Sequence, residues 1–201
     1  MKTHTLAFAL ALGLAGAAAQ AGLVTFDPVD EQGVTLDAGD AISAQGFRFT
    51  QGNATPATLF AGDLVGAYAS NGSASLYAAN AADIVLTLAG GGRFDLSSLE
   101  VGGGNLGDLA SWAIELLLTG LTADNAMLSG SVLLDPGSSG LASVPLGWNN
   151  LTELRLHVAS GDYSIDNLDL RALPEPAPWA MLGLGLAALL AARRTRATGA
   201  G

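Results

Sequence analysis

The chain contains no cysteine, and beyond Lys2 it contains no lysine. The first absence excludes disulfides, thiol nucleophiles and cysteine-ligated zinc. The second matters because the acidic residues are so many. Residues 22–173 hold 17 carboxylates against four arginines (Arg48, Arg93, Arg155 and Arg171), a net charge of −13. Such a body repels a phosphate backbone, which excludes nucleic acid as a partner, and it suits divalent cations or a hydrated matrix. Histidine is also scarce, with His157 alone in that stretch. A serine hydrolase would need it as base, and no G-x-S-x-G elbow accompanies it. We therefore expect no catalysis. Long apolar runs are missing from the body and confined to the two ends of the chain.

Those ends read as addresses. Met1-Lys2-Thr3-His4-Thr5 is a short basic lead, residues 6–16 are apolar, and small residues follow at 17–21. This is the pattern of a signal peptide spanning 1–21, cut after Ala21 or alternatively after Ala19. At the other end, Pro174-Glu175-Pro176 precedes an uncharged run, 177–192, and then Arg193, Arg194 and Arg196. Pro178 limits the helical part to 179–192, about 21 Å at about 1.5 Å per residue, against a hydrocarbon core of about 30 Å. Trp179 stands where an interfacial aromatic belongs, and the arginines would stay in the cytoplasm. A single short transmembrane helix is expected, better suited to a temporary tether than to a permanent anchor.

Leu173-Pro174-Glu175-Pro176, the apolar helix and the arginine cluster together resemble the PEP-CTERM sorting signal of Gram-negative bacteria. The resemblance covers about residues 173–196. It implies recognition by an exosortase, a membrane-embedded cysteine protease-transpeptidase, and processing near Pro174, Glu175 and Pro176. The body would then pass from the inner membrane to the cell surface or the extracellular polysaccharide matrix. Location and processing follow from this likeness, and activity does not.

Residues 22–173 form a single extracytoplasmic domain by length, followed by the sorting segment 174–201. Short alternating runs recur at 23–26, 46–50, 83–88, 112–119, 131–134, 153–158 and 163–170, separated by turn clusters such as Gly90-Gly91-Gly92 and Gly102-Gly103-Gly104-Asn105. This pattern predicts an all-β, two-sheet sandwich or jelly roll. Alternation places Leu154, Leu156 and Val158 inward and leaves Glu153, Arg155 and His157 to solvent. It breaks at Asp166-Asn167, which predicts a bulge. Phe26-Asp27, the segment 92–99 and Ile165-Asp166-Asn167-Leu168 look like the jelly-roll bodies common among PEP-CTERM proteins. Those in turn resemble lectin-like, carbohydrate-binding sandwiches.

Two kinds of site are expected from the residue types. First and last strands of sandwiches often pair, so Asp27 and Asp166 would converge and could hold calcium; no other cofactor is expected. Trp148, expected in a loop, could stack on a sugar ring, followed by Tyr68, Tyr77 and Tyr163. The function expected is that of a structural or adhesive component of the cell surface. The alternative is a carbohydrate-binding module, calcium-assisted, with polysaccharide as its partner.

Overall fold

Alternating side chains make the strands, and the computed structural model shows where they pair. It describes residues 21–29, 34–53, 59–62, 69–103, 114–135 and 138–174. The signal-peptide residues 1–20, Trp112, Tyr68 and the sorting segment from Glu175 onward lie outside these ranges. Twelve strands are described: β1 (Ala21–Val24), β2 (Val34–Leu36), β3 (Ala41–Ala44), β4 (Phe47–Gln51), β5 (Leu59–Gly62) and β6 (Ser75–Ala78). They continue with β7 (Ile84–Leu88), β8 (Arg93–Gly103), β9 (Ile114–Thr122), β10 (Met127–Leu134), β11 (Ala142–Val158) and β12 (Tyr163–Leu173). Among the described residues there is no helix, and so none long and apolar enough to cross a membrane.

The expected all-β architecture is present, as a nearly closed, barrel-like sandwich. One layer runs β2-β5-β6-β12-β8, with β1 also on β12; the other runs β10-β9-β11-β7-β4-β3. The two are stitched together by β11. Its first half pairs with β8 and its second half with β7 and β9, so one strand belongs to both layers. Register shifts between Pro145, Trp148, Leu151 and Glu153 mark where it bends. Extra residues in one strand of a pair produce such a bend. Pro145 is tolerated within this irregular stretch, and Gly147 supplies a φ of 63°.

Between the layers lies one apolar core. Leu154, Leu156 and Val158 are fully buried as alternation predicts, facing Ile84 and Leu86 of β7 and Leu116 and Leu118 of β9. Phe26 meets Phe49 edge-on at 5.0 Å, and Phe47 meets Phe94 at 5.7 Å. Each such side chain contributes on the order of 2 kcal/mol when removed from water. Gly102 and Gly103, expected to turn the chain, instead end strand β8. A Cβ on Gly102 would sit 2.5 Å from the Ala69 Cβ, and one on Gly103 2.8 Å from the Leu134 Cβ. Close approach of neighbouring chain, not a turn, is what these two glycines permit.

Candidate functional site

The outward face of the β9-β11-β7-β4 layer carries a polar array. Opposed residues of paired strands share a face, so the registers place Thr119, Arg155, Val85 and Thr50 in line across four strands. Beside this row, Arg48 opposes Thr87. Asp83, just before β7, accepts from Arg155 (Nη1 to Oδ2, 3.2 Å) and lies 2.6 Å from His157 Nδ1 through Oδ1. Glu153 lies 3.7 Å from the other guanidinium nitrogen. The Asp83 side chain is only 11% exposed, whereas Arg155 and His157 are 41% and 45% exposed. The carboxylate is thus pinned under two cationic or hydrogen-bonding groups that still reach solvent. Glu153, Arg155 and His157 do point outward as expected; that Asp83 binds two of them was not legible from alternation.

A cleft of about 460 Å³ opens at the end of this face, lined by Arg48, Thr87, Leu88, Thr152 and the Gly90-Gly91-Gly92 turn. The three glycines have φ near 91°, 89° and 107°, a left-handed run that only glycine adopts freely. Thr152 donates to the Leu121 carbonyl at 3.1 Å, which leaves its oxygen free to accept.

The second array lies at Asp166. Here β12 breaks register with β8 between Asp166 and Asp169, the expected bulge, and Asn167 takes a φ of 48°. Asp166 stands directly opposite Glu100, an arrangement of like charges that costs stability unless relieved. Asn71 relieves it: its side-chain amide donates to Asp166 Oδ2 at 2.9 Å and to Glu100 Oε2 at 3.1 Å. Ser73 Oγ donates to the same Asp166 oxygen at 2.9 Å, and Asn167 donates to Glu100 at 2.8 Å. Asp27, the other acid expected here, accepts from the Ala74 amide at 2.9 Å. Asp166 is fully buried, and its Oδ1 has no hydrogen-bond partner. Burial pushes its carboxyl above the usual range. Donors from Asn71, the Asn167 backbone and Ser73 oppose that shift, and the charge of Asp27 adds to it. Asp27 acts on Asp166 only as a like charge, the smallest of these influences. Among the described residues, no group of three or more histidines and carboxylates is arranged to hold a metal.

Trp148 lies within β11, not in a loop. It is half-buried, and its indole covers Gly120 and Gly130, where added Cβ atoms would meet ring carbons at 3.0 and 3.5 Å. Tyr77 and Tyr163 are buried and present no ring for stacking. Tyr163 instead donates to the carbonyls of Ala82 or Leu156 in the core, at 2.9 and 3.2 Å. Burial first, and the charge of Asp83 second, hold its hydroxyl well above the ordinary tyrosine range. Alternation alone did not reveal the inward turn of these two rings.

No model of a known protein family matches the chain, and no curated protein matches it in sequence. Several solved structures are similar in fold. The CBM22-1 xylan-binding domain from Paenibacillus barcinonensis Xyn10C is 13% identical, with a TM-score of 0.46, covering 79% of this chain and 99% of that one. TmCBM61 in complex with β-1,4-galactotriose is 12% identical, with a TM-score of 0.38, covering 65% and 90%. The CBM22-1 and GH10 modules of Clostridium thermocellum xylanase 10B, complexed with xylohexaose, are 14% identical, with a TM-score of 0.42 over 75% of this chain. The chain spans 28% of the length of that xylanase structure.

Proposed function

We propose that this is an exported, non-catalytic β-sandwich that binds a hydroxyl-rich polysaccharide along the outward face of the β9-β11-β7-β4 layer. The observation that carries the reading is the Thr119-Arg155-Thr50 row with Asp83 pinned beneath it. A guanidinium offers five N–H donors, and Arg155 commits few of them to Asp83 and Glu153. Its remaining donors, the His157 ring and the flanking threonine hydroxyls form a preset array of donors and acceptors that matches sugar hydroxyls. The cleft beside Arg48 extends that array in one direction, as a linear polymer would need.

Delivery to the polysaccharide is assigned to the C-terminal segment. An exosortase acting at Pro174-Glu175-Pro176 would release the body from a transient membrane tether. Replacing those three residues by alanine should leave the chain unprocessed, and mass spectrometry of both ends in the host reads this directly. Normal processing of that variant would sink the sorting reading.

Polysaccharide pull-down with the full chain tests the binding face. Arg48→Ala combined with Arg155→Ala should lower retention about tenfold, the loss of roughly 1.4 kcal/mol. Because Asp83 then loses its guanidinium partner, the melting midpoint should also fall by several degrees, and retention is compared where both proteins are folded. Retention of the double variant equal to that of the parent on every polysaccharide would refute the face. A cation joining Asp27 and Asp166 would add calcium dependence to stability. A midpoint unmoved by calcium or EDTA removes that component and leaves the face untouched.

A further inference from the structure

We propose that β10 is a homotypic docking edge, through which two copies of this chain pair antiparallel about Gly130. β10 hydrogen-bonds to β9 on one side and to no other strand among the described residues. An edge of eight residues is long, and natural edges of that length are usually blocked by lysine, proline or an inward charge. β10 has none of these. Met127-Leu128-Ser129-Gly130-Ser131-Val132-Leu133-Leu134 carries no charge at all, on a body whose net charge is −13. Two such bodies repel each other over most of their surface, so a neutral strip is where they can meet.

The strand is also self-complementary. A twofold axis at Gly130 sets Met127 against Leu133, Leu128 against Val132, Ser129 against Ser131, and Gly130 against itself. Shifting the axis by one residue, to Ser129 or Ser131, sets Met127 against Ser131 or Ser129 against Leu133 and loses the match. Exposure agrees with this. Met127 and Leu133 are 72% and 69% exposed, and neighbouring Leu117 on β9 is 41% exposed, three large apolar groups on one outward face. On the core side Leu128 and Val132 are only partly covered, and among the described residues no strand pairs with β10 beyond them. A second β10 would pair the open backbone, place Met127 on Leu133 twice and cover both inner residues. The contact is smaller than the standard interface of about 1,600 Å², so the pair is weak and concentration-dependent.

The absence of cysteine makes the test specific. Met127→Cys and Leu133→Cys are prepared separately in the full chain, in detergent micelles at about 100 µM protein, then oxidised alone and as a mixture. Both positions are exposed, so neither change threatens the fold. The mixture should yield at least about tenfold more disulfide dimer than either variant alone. The proposed register opposes residue 127 to residue 133 and keeps each residue about 20 Å from its own copy. Adding Ser131→Lys to both variants should abolish the product. Equal yields in mixture and single variants, no dimer from thiols shown to be reactive, or a dimer indifferent to Ser131→Lys would each overturn the proposal. These outcomes are independent of polysaccharide retention.

Discussion

Asp83 and Asp166 are both carboxylates drawn largely out of water, and the fold compensates them in opposite ways. Asp83 lies under Arg155 and His157, whose outer parts remain wet. Asp166 has only neutral donors, the Asn71 and Ser73 side chains and the Asn167 backbone, and its Oδ1 has no partner. Charge-matched and half-open, the first array retains donors for something arriving from solvent. The second is closed by the turn at residues 70–74 and spends its hydrogen bonds internally. The contrast teaches that carboxylate clustering alone does not mark a site; the identity of the compensating groups does.

The largest break in this comparison should come from Asn71→Ala. It strips the amide that separates Asp166 from Glu100 and leaves a buried carboxylate short of a donor, at a cost of about 2–3 kcal/mol, measurable by urea denaturation. A loss below about 0.5 kcal/mol would mean that Asp166 is not charged in the fold. Asp83→Ala should be milder, about 1–2 kcal/mol, because Arg155 and His157 can return to water. It should also reduce polysaccharide retention, whereas Asn71→Ala should not alter retention while the protein is folded. If the two variants lose retention equally, the division of labour drawn here fails.

A smaller effect sharpens the comparison through pH. The carboxyl of Asp166 is raised in the folded protein, so its stabilising contribution is complete below the unfolded value of about 3.9 and is lost as pH rises through the folded value. Acidification from pH 7 should therefore favour the parent over Asp166→Asn, whatever their offset at neutrality. Paired thermal melts across that interval show this as a gap that moves toward the parent. A gap independent of pH would contradict the burial-driven shift.

Much of the fold was legible because alternation is a local signal. β4, β7, most of β9, the second halves of β10 and β11 and the greater part of β12 coincide with the short runs read from the sequence. The first half of β11 was not, because Pro145 and Gly147 read as breakers, while the bulges that accommodate them depend on the partner strand β8. Gly102 and Gly103 misled for a related reason: the Ala69 and Leu134 atoms that demand glycine come from distant parts of the chain. At the proposed binding face, the spacing of Glu153, Arg155 and His157 put them on one side, yet Asp83 lies far away in sequence and only the β7-β11 pairing delivers it. Asp27 and Asp166 were placed together by the habit of first and last strands to pair. Asn71 and Ser73, which govern Asp166, carry no such pattern.

β12 has a mechanical consequence. β8 holds it along one edge from Tyr163 to Leu173, and β6 and then β1 hold the other at residues 163–165 and 168–171. Tension entering at Leu173 along the strand axis would load both ladders in shear, so that many hydrogen bonds must yield at once instead of unzipping singly. A body held on the opposite layer and pulled through its C-terminal strand would resist drag with a strand bonded along both of its edges.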